Sequence, residues 1–539
     1  MADYATLLRD HTTLKVRSID RIFLQAYVPK LQSVGQVCIF LRWHRNVHIP
    51  SSAAFGQIGE RFVKEIERFS KEQGIPIIHF EKGENKEQRA RALLEKASGE
   101  AGEGRVVLIG IAQEKASVWR SWKAKGQENA AHPHMEWGRQ MAYINHYYFY
   151  LWDPGWGPAF WKTNAYAPFP IWLWLNGHEW AKQQMHKAGI PYEALDNGFR
   201  SCADPRALQK RCDQLGSGAV RDFFWRWFCR LPSPFCPEDL HAGYVYQLAF
   251  RQFEVSETVV FDRPQAGRAW FEGVIRDHLD LGRPDQVALI FDRRVSVRTP
   301  GSFRTKVITR GVDPILSCYY KSSRIKQYFK EGRALRTETV ICDTHDFGVG
   351  RRVCAKNWKA LRDVGQSANR RLCDAEAQDA MPAPDVGTFE RVTQPSTSED
   401  GLYAPALRFG DSRVMAVLAA LVGFCHLVDG FTNGQLVQRV AALLDEPYTT
   451  RQATYDLRRL KRKGLIRRIH NAHRYELTTV GRAVAVLFTK SYTRVLTPGL
   501  AILDPRLPED IRRRSPLASA WLTFQRALRD FVERSFVAA

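Results

Sequence analysis

The sequence predicts a multidomain α/β or α+β chain with a mixed-sheet body and a C-terminal domain of helices and a short hairpin. Three observations predict it. Buried strand runs alternate with amphipathic helices over the first 118 residues. Nine of the fifteen tryptophans fall between Trp119 and Trp180, in a run broken by Asp153-Pro154-Gly155 and Tyr166-Ala167-Pro168. A Pro/Ser/Thr/Asp/Glu-rich stretch from Pro382 to Pro405 precedes a strongly basic helix-hairpin-helix pattern.

Leu14 to Val28 is rich in β-branched and aromatic residues and carries Asp20 in its middle. Ser52 stands where it can cap an amphipathic helix through Ile58, Phe62, Ile66 and Phe69. Ile75 to Phe80 reads as a strand, Lys86 to Lys96 as a helix and Arg105 to Ile111 as a second buried strand. The aromatic run reads as short antiparallel strands, except that the Trp119-Arg120 and Trp122-Lys123 pairs are expected on a helix. A helix follows from Glu179 to Lys187 and ends at Gly189. Extended segments return at 287–291, Phe303 to Thr309 and Leu335 to Ile341, with a hairpin turn at Thr299-Pro300-Gly301. The expected domains are 1–118, 119–282, 283–381, a linker at 382–410, and 411–539.

Composition narrows the function classes. The 539 residues carry a formal net charge of +22, which favours a polyanionic partner. The charged N-terminus (Asp3, Arg9, Asp10) argues against a secretory signal, and the apolar run from Met415 to Val428 is too short to span a bilayer. The ten cysteines show no CxxC spacing, so free thiols in the cytoplasm are expected.

The basic charge is concentrated. Arg451 to Arg494 and Arg293 to Arg336 each hold twelve Lys/Arg against two Asp/Glu. In the first window, Thr449 and Thr450 can open a helix that Gly464 closes, with Ala453, Leu457 and Leu460 on one face. A hairpin follows, Arg467 to Ile469 and Arg474 to Leu477, then an apolar helix from Val480. The stretch resembles winged-helix domains, whose second helix enters the DNA major groove. That resemblance implies base contacts from Arg451, Gln452, Thr454, Tyr455 and Arg458, phosphate contacts from Arg459, Lys461 and Arg462, and a wing tip at His473 and Arg474.

In the second window, Tyr319-Tyr320-Lys321, Lys326-Gln327-Tyr328 and Leu335-Arg336-Thr337-Glu338 resemble plasmid and phage replication initiators. The resemblance implies a tyrosine nucleophile, Tyr320 or Tyr328, among Lys321, Arg324, Lys326 and Lys330, with Glu338 alongside. A different mechanism, with Mg²⁺ or Mn²⁺, needs converging carboxylates, and Asp20, Glu84, Glu114 and Glu338 are the candidates. His178-Glu179 lacks a histidine four residues on, and His44 and His48 lack a third ligand, so no metal is assigned from the histidines. DNA is the expected partner, with RNA as the alternative and no membrane. The expected role is action on DNA in a mobile-element or plasmid setting, as replication initiator, transposase-like protein or nuclease. A noncatalytic DNA-binding regulator and an RNA-binding protein are the alternatives.

Overall fold

The computed structural model describes residues 10–98, 103–127, 133–277, 291, 306–310, 313–377, 384–398, 401–424, 430–444, 446–469, 473–492 and 516–537. The chain is a mixed α/β protein that divides into two compact units, Met1–Cys373 and Asp374–Ala539.

The first unit is built on one sheet. Its strands begin with β1 (Thr12–Tyr27), β2 (Ile77–His79), β3 (Arg105–Lys123), β4 (Met135–Asp153), β5 (Gly157–Asn164) and β6 (Ile171–Asn176). A separate hairpin, β7 (Tyr192–Leu195) and β8 (Gly198–Cys202), intervenes. Then come β9 (Gln247–Phe261), β10 (Lys306–Arg310), β11 (Asp313–Tyr320), β12 (Ser323–Lys330) and β13 (Ala334–Ile341). The described strands order as β10-β11-β12-β13-β9-β1-β6-β5-β4-β3-β2. Among the described strands only the β2–β3 pair is parallel, so the sheet is mixed by one edge strand.

The expected boundary at 118/119 falls inside β3, and strands from Thr12 to Ile341 share this sheet. The Trp119 and Trp122 pairs lie on β3 and not on a helix, because Ala112, Ala116 and Val118 are buried at the two-residue period of a strand. Segment 287–290 and the turn at 299–301 lie outside the described residues.

The pleat sends alternate residues to opposite faces, and the two faces differ. One is apolar and covered by helices α1 (Ser52–Gln73), α5 (Ser217–Phe228) and α6 (Ala355–Ala377). Phe224 stacks on Trp161 with ring centroids 5.2 Å apart, and Trp358 sets its edge on Phe253 at 5.1 Å. Gly365 of α6 lies so close to Val255 that a Cβ would stand 2.6 Å from that side chain. On the other face α2 (Lys86–Ser98) packs on β3 and β4, while α3 (Gly177–Lys187) and α4 (Pro205–Gln214) pack on β1. Between these helices Phe23, Gln25, Trp172 and Trp174 remain only half-buried.

In the second unit, α8 (Ser412–Phe424), α9 (Asn433–Leu444), α10 (Thr450–Arg462) and α11 (Thr479–Lys490) close a core around Leu418, Leu436, Leu457, Leu460 and Phe488. A short hairpin, β16 (Ile466–Arg468) and β17 (Tyr475–Leu477), joins α10 to α11. Thr449 caps α10 with a reciprocal box, and Gly464 leaves the helix at φ 69°, as the sequence predicts. The expected linker at 382–410 is structured where described. It holds α7 (Val386–Thr393) and a two-residue ladder, Ser396–Thr397 with Tyr403–Ala404, and buries Val392 and Leu407 in the core. Its polar composition hid these few apolar anchors. No described helix is long and apolar enough to cross a membrane.

Candidate metal and catalytic centre

The centre of the sheet carries acid where a core would carry hydrocarbon. Ile19 pairs with Val255 and Ile22 with Phe253, so two residues of β1, Asp20 and Arg21, oppose the single Glu254 of β9. This bulge re-aims Asp20 toward Glu254. On the other side of β9, Ser256 pairs with Glu338 and Glu254 with Val340, which places Glu338 on the same face. One oxygen from each of Asp20, Glu254 and Glu338 therefore lies within 4.8 Å of the others. Their relative exposures are 1%, 4% and 2%.

Two cations answer two of these carboxylates. Arg336 Nη1 donates to Asp20 Oδ2 at 3.2 Å, and Lys326 Nζ stands 2.9 Å from Glu338 Oε1. Tyr328 donates its hydroxyl to Glu338 Oε2 at 3.1 Å, and Asn197 Nδ2 donates to Asp20 Oδ1 at 2.7 Å. Glu254 receives the Gln252 amide on Oε1 and its carboxyl is hydrogen-bonded to Glu338; among the described residues no other donor reaches its buried Oε2. Burial, reinforced by the charge of Glu338, pushes the Glu254 carboxyl up to about 8. Near neutral pH the third acid thus keeps its proton. Burial would also raise Asp20, but the Arg336 guanidinium and the Asn197 amide overcome it and hold that carboxyl well below its ordinary value.

His178 belongs to this wall and not to a zinc site. It opens α3, whose cap Asn176 accepts from the backbone N–H groups of His178 and Glu179. Arg336 Nη2 lies 3.2 Å from His178 Nε2, and a guanidinium can only donate, so Nε2 accepts and the ring is neutral. Burial and Arg336 lower the histidine accordingly, against the opposing pull of Asp20. Gly198 makes room for the guanidinium: its φ is +141°, and a Cβ there would meet Arg336 Nη2 at 2.6 Å.

Three hard oxygen donors suit Mg²⁺ or Mn²⁺, which take carboxylates and keep several waters. A divalent cation would displace the Glu254 proton and neutralise the charge this frees. Exposed Arg21 and half-buried Gln252 and Lys326 form the solvent side of the cluster.

Of the residues singled out in the sequence, Asp20, Glu338, Tyr328 and Lys326 meet here. Tyr328 holds Glu338, and burial and that carboxylate raise its phenol well above its ordinary value. Tyr320 faces away: it is buried against Phe291 and Phe347. Glu84 accepts from the Glu81 backbone N–H, away from the cluster. Glu114 is saturated by Lys86, Lys162 and Tyr148; despite burial, these donors draw it down to about 2. Lys321 pairs with Asp346 at 3.3 Å, and Lys330 lies 3.5 Å from Glu331, while Arg324 is half-buried on β12. His44 bonds Asp239 at 2.8 Å.

Within the second unit, Arg451, Thr454, Tyr455, Arg458, Lys461 and His473 are exposed. Gln452 is committed to the cap, accepting from the Thr449 N–H, and Thr454 donates its hydroxyl to the Thr450 carbonyl. Arg459 donates to the Pro405 carbonyl, Arg462 to the Tyr403 carbonyl and Arg474 to the Gly430 carbonyl, so these three guanidinia tie down neighbouring backbone. Glu254 escaped the reading of the sequence, which weighed His178 only as a zinc ligand and Arg336 only as part of a strand motif. The signal for Glu254 is its place in a polar run, Glu254-Val255-Ser256-Glu257-Thr258, inside a strand that is apolar on either side. No family model, curated protein or solved structure matches the chain.

Proposed function

We propose that the chain is a divalent-metal-dependent enzyme acting on DNA phosphodiester bonds, with a C-terminal winged-helix domain that holds duplex DNA. The observation that carries this reading is the convergence of three buried carboxyl groups, Asp20, Glu254 and Glu338. Bound there, a Mg²⁺ or Mn²⁺ ion would polarise a phosphoryl oxygen and lower the pKa of its water. Glu338, fixed by Tyr328 and Lys326, and Asp20, fixed by Arg336 and Asn197, supply rigid ligands. Arg21, exposed beside them, is placed to meet a phosphate oxygen. The half-buried, well-bonded phenol of Tyr328 suits a positioning group better than a nucleophile.

The test is incubation of the purified protein with supercoiled and single-stranded DNA in Mg²⁺, Mn²⁺ or EDTA. Metal-dependent nicking without a covalent adduct is expected. An adduct lost in Tyr328→Phe would restore the tyrosine mechanism of replication initiators. Tight duplex binding with no cleavage would leave a noncatalytic regulator.

The order α8-α9-α10, hairpin, α11 supports the winged-helix reading, with α10 as the helix facing DNA. Arg451→Ala and Arg458→Ala should weaken duplex binding and each reduce the salt slope by about 0.9. Gln452→Ala should instead cost up to about 1 kcal/mol of stability through the cap and leave sequence preference unchanged. Binding isotherms across a salt series, with thermal melts, check both. A changed base preference in Gln452→Ala would refute the cap assignment.

A further inference from the structure

A cleft of about 370 Å³ lies on the same sheet face as the carboxylates. Strand β1 joins the two: it carries Asp20 and Arg21 at the bulge, then lends Phe23, Gln25 and Tyr27 to the cleft wall. At about 3.4 Å per residue, Phe23 stands roughly 10 Å along the strand from Asp20.

The wall is aromatic. Phe23 and Trp174 stack with centroids 3.5 Å apart and planes at 22°, and Phe160 continues the column at 4.6 Å and 23°. Trp172 lies beside it with Lys162 Nζ 5.3 Å from its ring centroid. The charge is one-sided. Lys115, Lys162, Arg139 and Arg251 line the cleft and, among the described residues, no Asp or Glu does, although Lys162 reaches to Glu114 beside it. Arg139 is hydrogen-bonded to the neutral Gln32 and Arg251 to the neutral Gln25. Burial lowers Arg139, with no carboxylate to offset it. His146, buried at the cleft, is drawn down to about 4 by burial and by Lys162, so it adds no charge.

Aromatic side chains flanked by three cations that make no ion pair among the described residues, Lys115, Arg139 and Arg251, are the chemistry that holds unpaired bases and their phosphates, and the volume is too small for a duplex. We infer that this cleft binds a segment of single-stranded DNA and leads it toward Asp20, Glu254 and Glu338. The inference rests on the phosphodiester reading above for its direction, but not for its binding test.

Fluorescein-labelled oligo(dT) is titrated with the full-length chain in EDTA, where no cleavage occurs, and a labelled duplex is titrated in parallel. The double variant Lys115→Glu/Arg139→Glu alters two exposed side chains and should weaken oligo(dT) binding at least tenfold, with duplex binding unchanged. Trp172→Ala should weaken it by roughly 5- to 150-fold, the loss expected for one stacked base. Should Trp172→Ala fail to fold, the charge-reversal variant decides alone. Oligo(dT) binding equal to the parent in that variant, or none in the parent, overturns the cleft assignment even if the parent nicks DNA. Binding lost in the variants of a parent that cleaves nothing keeps the cleft and removes the phosphodiester reading instead.

Discussion

Glu254→Gln is expected to abolish Mn²⁺ binding at the sheet centre and DNA nicking with it, yet to make the metal-free protein more stable above neutral pH. The sign follows from the proton. The carboxyl sits at about 8 in the folded chain against an ordinary 4.5, because it is buried beside Glu338. Between those values the folded state holds a proton that the unfolded state has released, so parent stability falls as pH rises. Gln reproduces the protonated acid in shape and does not titrate. The gap between variant and parent should open from about pH 4.5, widen to about pH 8 and then level off. Metal binding needs that proton gone, so Mn²⁺ affinity in the parent should rise about tenfold per pH unit up to pH 8. Calorimetric titration in buffers of different ionisation enthalpy would show one proton released per ion. Mn²⁺ binding in Glu254→Gln equal to the parent's would remove the site.

The sequence makes some of this legible, for reasons the structure explains. Asp20 is conspicuous because it interrupts an apolar strand, and Glu338 because it follows Arg336 inside another. Both are central, on strands that flank β9 from opposite sides. Their partner Glu254 sits 234 residues from Asp20 in sequence, and only the β1–β9 and β9–β13 registers bring the three together. Periodicity finds strands but does not give their order across a sheet. Glu114 failed as a candidate for a related reason: its lysines, Lys86 and Lys162, arrive from a helix and from β5. In the described part of the basic window at 293–336, Lys321, Lys326 and Lys330 each find a carboxylate nearby. In the second unit the capped basic helix and its hairpin are legible because their contacts are local. Which of its arginines are already tied to carbonyls at 403–405 and 430 is not.

Arg336→Met should produce the largest loss of stability in the sheet. The guanidinium is fully buried and donates to Asp20, Thr258 and His178 at 3.2, 3.0 and 3.2 Å. Removing it leaves Asp20 without its cation, next to Glu254 and Glu338, and breaking a buried pair from one side costs about 3–5 kcal/mol. Asp20→Asn strands the guanidinium and should cost a similar amount. The double variant should cost less than the two single losses combined, since neither uncompensated charge then remains. Denaturant unfolding of the three variants measures this, and a loss below about 1 kcal/mol in Arg336→Met would show the network to be dispensable. The same variant separates a metal centre from a merely structural ion cluster. Arg336 and a divalent cation are alternative sources of positive charge for Asp20. With the arginine gone, Asp20, Glu254 and Glu338 repel one another more strongly, so Mn²⁺ should raise the melting temperature of Arg336→Met further than it raises the parent's. An equal shift in both would mean that the ion binds elsewhere and that the carboxylates are held together by Arg336 and Lys326 alone.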